Sequence, residues 1–208
     1  MRRGVASLRD MDELAAVPPP PPAIAELRLA CERFVGTATK VVIDGTADTL
    51  PVLDHYLRDV PHGRDELDAI VAAAAGAYFG EVVRAAWPCH WNIRGEDPAS
   101  WRIEFDQVFL HFQPVVFALE AIHRDDVVEG GAGFGVLDED LAALRAALEG
   151  QGEVAPDDYF RLSVRFDVLA SIIDRLIPRA VNEDGSVARY TAEAYSVALD
   201  GDVPRANS

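Results

Sequence analysis

The residues best suited to chemistry are few. Cys89 and His90 are the only adjacent pair of soft ligands in the chain, and His111 lies twenty-one positions beyond His90. A thiol and two imidazoles are the donor types of a zinc site or of a small-ligand enzyme, so Cys89, His90 and His111 form one candidate constellation. If the intervening segment folds as an antiparallel meander, His90 shares a face with Arg102, Glu104 and His111. The two imidazoles then sit on the first and third strands, roughly 9.6 Å apart at twice the usual strand spacing. They straddle a ligand or metal only in a favourable register; the competing reading is a partly solvated polar sheet face. Glu81 is the other group with catalytic potential. It follows a run of small side chains and is either buried as an acid/base, hydrogen-bonded to a sheet amide, or turned to solvent. Cys31 falls on an apolar helical stripe and reads as a small buried hydrophobe.

Most templates for catalysis and cofactor binding fail. A G-x-G-x-x-G frame on Gly131 and Gly133 meets Val136, and one on Gly133 and Gly135 meets Asp138; the sole lysine, Lys40, follows a threonine. The glycine cluster therefore reads as a flexible connector. Asn182-Glu183-Asp184-Gly185 resembles part of a calcium loop, yet that frame puts Ala180 at the first ligand position and Thr191 at the twelfth. Neither G-x-S-x-G nor H-E-x-x-H occurs. No cofactor is called for.

Charge is more informative. The 208 residues carry 35 acids against 19 bases, for a net charge of −16. A nucleic-acid partner or an anionic membrane surface calls for the opposite balance. Between Asp125 and Asp158 ten carboxylates stand against one arginine, Arg145. Within that stretch Asp138, Glu139, Asp140 and Glu149 are the candidate surface for a basic protein partner, with a solubilising face as the alternative. The uncharged run Ala69–Gly80 falls short of the roughly 20 residues of a spanning helix, and Arg9, Asp10, Asp12 and Glu13 interrupt any leader behind Arg2 and Arg3. With two isolated cysteines, the expectation is a cytoplasmic chain with reduced thiols. Arginine supplies 18 of the 19 bases, a coding bias typical of GC-rich bacterial genomes.

The positioning elements follow from periodicity. Residues 1–22 read as a lead-in ending in the pentaproline Pro18–Pro22, an extended spacer or a docking peptide. Residues 23–200 read as one α+β domain and 201–208 as a tail. Helical stripes run through Ile24, Leu27, Cys31, Phe34 and Val35, then Leu50, Leu53, Leu57 and Val60. The strongest spans about Arg64 to Trp87, with Leu67, Ile70, Val71, Ala74, Tyr78 and Val82 on one face. Its interior Gly76 and Gly80 cost about 1 kcal/mol each relative to alanine, which a close approach of another backbone would offset. Trp91–Arg94, Trp101–Asp106 and Val108–Phe112 alternate as strands. A two-residue turn at Asp106-Gln107 pairs Phe105 with Val108, Ile103 with Leu110 and Trp101 with Phe112, all on one apolar face. Further helices are expected at Pro114–His123, Leu137–Leu148 and, without interruption, Pro156–Ile177, with a short helix or strand near Tyr190–Leu199.

Gly76-Ala77-Tyr78-Phe79-Gly80-Glu81, followed by a Trp-bearing strand and a hairpin closing on Gln113-Pro114, resembles several uncharacterised bacterial families. In these a G-x-Y-x-G-E helix precedes a short antiparallel sheet, and some members are immunity or accessory proteins. The resemblance covers about residues 65–123 and implies no catalytic residue. The expectation is a three-stranded antiparallel meander packed on an Ala/Gly-rich helix, with flanking helices and a helical C-terminal part. The expected role is a non-catalytic, immunity-like or accessory interaction protein.

Overall fold

The computed structural model describes residues 18–60, 64–127, 133–150, 155–181 and 187–200. The fold is α+β. Its helices are α1 (Pro22–Thr39), α2 (Leu50–Asp59), α3 (Asp65–Ala86), α4 (Pro114–His123), α5 (Leu141–Glu149), α6 (Pro156–Tyr159), α7 (Leu162–Leu176) and α8 (Ala192–Asp200). Strands β1 (Cys89–Asn92), β2 (Arg102–Phe105), β3 (Leu110–Phe112) and β4 (Gly135–Val136) form one antiparallel sheet in chain order. Residues 1–17 of the lead-in, residues 201–208, residues 182–186 of the calcium-like frame, and Glu129 and Glu153 of the acidic stretch lie outside the described residues.

Helix α3 is the centre of the packing. Asp65, Glu66 and Asp68 occupy its first turn and Arg84 its last, the arrangement its dipole favours. Every residue from Val71 to Arg84 is buried, so the helix has no solvent face over that length. By length and mean hydropathy α3 could cross a membrane, but most of it lies inside the fold, against α1 on one side and α4 on the other. The interior glycines make that possible. A Cβ at Gly76 would lie 2.6 Å from Val115 Cα and 2.7 Å from Val115 N, so the backbone of α4 rests directly on α3 there. At Gly80 the intruder is the Trp91 indole rather than a backbone. Two expected core residues are outside. Ile70 is 56% exposed because the first turns of α3 bury Asp68, Val71 and Ala72 on the opposite side, and Phe34 lies at the rim of a stripe centred on Ile24, Cys31 and Val35.

The sheet keeps the expected faces in a different register. Ile103 pairs with Phe112 and Glu104 with His111, so the β2–β3 connection spans Asp106–Phe109 rather than two residues. Asp106-Gln107 lacks the glycine that a tight hairpin prefers. A slip of two residues preserves side-chain parity, which is why no residue changes face. β1 starts at Cys89 and pairs Trp91 with Ile103, leaving Ile93 past its end and 37% exposed. The apolar face meets the helices through rings: Phe112 lies edge-on to Phe79 at 5.9 Å and stacks on Phe117 of α4 at 5.1 Å. The stretch read as a flexible connector supplies the fourth strand, whose Gly135 leaves room for the His111 ring.

The C-terminal helix expected to be continuous is broken at Phe160-Arg161. Asp54 of α2 accepts the Leu162 amide at 2.7 Å, the Ser163 amide at 3.2 Å and the Ser163 hydroxyl at 2.5 Å, capping α7 from another helix. Pro18, the first described residue of the pentaproline, accepts Arg84 through its carbonyl at 2.8 Å.

In an exposed helix Gly76→Ala would gain about 1 kcal/mol. Here the backbone of α4 blocks the methyl, and the variant is expected to lose about 1–3 kcal/mol in urea denaturation. An unchanged or raised midpoint would contradict the packing.

Candidate functional site

The polar face of the sheet carries His90, Asn92, Arg102, Glu104 and His111, brought together by strict alternation along β1, β2 and β3. At its centre Glu104 is fully buried. Its Oε1 accepts Asn92 Nδ2 at 2.7 Å and Arg102 Nε at 3.0 Å, and its Oε2 lies 3.4 Å from His90 Nε2. His90 Nδ1 in turn meets Asp106 Oδ1 at 2.8 Å. The imidazole is therefore held between two carboxylates, one on each nitrogen. Contact with Glu104 raises the His90 pKa above its ordinary value; burial opposes this and Asp106 adds to it. Burial alone would raise Glu104, but His90, Asn92 and Arg102 outweigh it and hold that carboxyl below its usual range.

Helix α8 closes over this face. Tyr195 is completely buried, with its ring stacked on Phe109 at 4.4 Å and edge-on to His111 at 6.2 Å. Its hydroxyl accepts the Leu110 amide at 2.9 Å and lies 3.0 Å from the carbonyl oxygens of Phe105, Val108 and Leu110, one of which takes its proton. The four-residue β2–β3 connection is wrapped around that oxygen. Arg94 adds a second tie, donating to Asn92 at 3.2 Å and to Ser196 of α8 at 2.9 Å.

Cys89 is not part of this cluster. It alternates with His90 and faces the helices, buried, with its thiol pKa pushed up by desolvation. The proposed ligand trio is thus divided between two faces, and among the described residues no group of three His, Cys, Asp or Glu side chains is placed to hold a metal ion. Cys31 is buried as expected, its thiol raised to about 12 by burial and by Glu32. Glu81 is buried as well, which removes the solvent-face reading. It accepts Arg84 Nη1 at 2.7 Å and the Trp91 indole at 2.8 Å rather than a sheet amide.

The acidic segment lies elsewhere, on a 3-10 turn (Asp138–Asp140) and on α5, which packs on α7. Asp138, Glu139 and Glu149 are exposed. Asp140 is engaged: Arg179 Nε donates to it at 2.8 Å while Arg179 Nη2 donates to the Glu139 carbonyl at 3.1 Å. Leu141 and Leu148, two turns apart on α5, are 38% and 44% exposed beside these carboxylates.

Asp106 and Tyr195 are the residues of the polar cluster that sequence reasoning missed. Asp106 stood in a supposed turn, and Tyr195 sits some 85 positions from the amide it binds, with no local signal to connect them. No family model matches the chain, and no curated protein or solved structure matches it either.

Because folding raises the His90 pKa, the stability it contributes is complete below the ordinary histidine value near 6.5 and fades as pH rises through the folded value above it. Unfolding free energy is expected to fall as pH rises above about 6.5, and His90→Gln is expected to flatten that slope. Equal slopes in the two proteins would contradict the placement of His90. Tyr195→Phe leaves the Leu110 amide without its acceptor and is expected to cost about 1–3 kcal/mol by the same denaturation.

Proposed function

We propose that the chain is a non-catalytic cytoplasmic interaction protein that meets a basic protein partner through the acidic turn and α5. The observation that carries this reading is the pairing of Asp138, Glu139 and Glu149, all exposed, with Leu141 and Leu148 on the same short segment. Apolar contacts ringed by charge are the usual composition of an interface, the carboxylates steering the approach and the leucines supplying desolvated area.

The state of the interior polar groups supports the same reading. Both His90 nitrogens face carboxylates, the Tyr195 hydroxyl is held by backbone, Glu81 is neutralised by Arg84, and both thiols are buried with raised pKa values. A general base or nucleophile needs a reactive atom open to substrate. The immunity-like or accessory character is what the Gly76–Glu81 resemblance implies for such a binding protein.

Pull-down from the source cell with wild-type chain is compared with a variant carrying Asp138→Lys, Glu139→Lys and Glu149→Lys. Asp140 is left intact because it holds Arg179. The recovered partner is expected to be lost in the variant, and its yield from wild type to fall steeply as salt rises towards about 1 M, where the screening length is near 3 Å. A partner retained by the variant and indifferent to salt contradicts the reading.

A further inference from the structure

The acidic surface has a local exception. Arg58 near the end of α2, Arg124 at the C-cap of α4 and Arg161 at the N-cap of α7 line one small pocket together with Asp54, Ala121 and Phe160. Three arginines from three separate elements line one place in a chain of net charge −16. We propose that this pocket is a binding site for a phosphate group, presented by a small phosphorylated ligand.

Charge accounting favours an added anion. Arg161 pairs with Asp158 at 2.7 Å, but neither Arg58 nor Arg124 has a carboxylate partner among the described residues. Arg124 donates Nη2 to the Arg58 carbonyl at 2.8 Å, a contact that fixes its position without neutralising it. Its backbone is held at φ 56°, a conformation that glycine adopts more readily than arginine, with its amide capping Glu120 at 2.7 Å. Asp54 lines the same pocket and offsets part of the charge of Arg161, while its oxygens accept from the Leu162 and Ser163 amides and the Ser163 hydroxyl. The positive end of the fifteen-residue α7 adds to the same potential.

Geometry points to phosphate rather than to a planar organic anion. The dimple holds about 10 Å³, the volume of one oxygen-sized group, so an anion inserts a single oxygen and keeps the rest at the rim. A tetrahedral phosphate can do this while its outer oxygens meet the guanidinium forks of Arg58 and Arg124, and its two negative charges match the two unpaired arginines. The site shares no residue with the acidic turn or α5 and does not depend on the partner reading above.

Inorganic phosphate is titrated into the full chain at constant ionic strength, with the arginine Nε–Hε signals followed by NMR. A saturable shift of the Arg58 signal is expected, at least about tenfold tighter than with acetate. Arg58→Gln is expected to weaken binding at least about tenfold, and Arg58→Lys to weaken it severalfold because the charge survives and the fork does not. Should the glutamine variant fail to fold, the lysine variant decides. Shifts that never saturate, acetate binding as tightly as phosphate, or variants that bind as wild type each overturn the proposal.

Discussion

The arrangement depends on one buried carboxylate. Glu81 sits inside α3, where an unpaired charge would be prohibitive, and it is satisfied by two donors from different directions: Arg84 one turn on, and the indole of Trp91 in β1. Arg84 continues the chain of contacts to the Pro18 carbonyl. This set of contacts thus ties Pro18, the central helix and the first strand together. The tie is possible only because Gly80 has no side chain where the indole lies. Removing one partner of a buried pair leaves the other charge uncompensated, at about 3–5 kcal/mol, so this clamp is also a point of vulnerability.

The same logic recurs elsewhere. Glu120 of α4 and Arg165 of α7 meet at 2.5 Å, with the guanidinium 4.0 Å above the Phe117 ring. Asp54 caps α7, and Glu104 organises the polar sheet face beneath Tyr195. The inward-facing ionisable groups join layers that would otherwise meet only through apolar contacts. Their reactive atoms are engaged in doing so.

Much of this was legible in the sequence. Helix α3 declared itself through small residues and a long apolar period, and α4 through Pro114 and a clear stripe, because both signals are local. The two sheet faces were equally readable, since parity survives an error of two residues; the register did not, because the wider β2–β3 connection is shaped by Tyr195 on α8. The break between α6 and α7 has its cause 108 positions away in Asp54. Gly135 looked like a loop glycine and proved to be a strand residue that makes room for His111. The arginine pocket had no sequence signature, as its three guanidiniums come from segments whose proximity only the fold creates. Cys89 and His90 illustrate the opposite failure: neighbours in sequence, they are separated by the alternation of a strand.

The clamp is tested most directly by hydrogen exchange at the indole nitrogens. Trp91 Nε1, buried and bonded to Glu81, should exchange only through global unfolding, with a protection free energy equal to the denaturation value and a sharp loss of protection in Glu81→Gln. The Trp87 indole, only partly buried, serves as the faster internal reference. Exchange of the Trp91 indole at a rate close to that of Trp87 would contradict the clamp and the layer packing built on it.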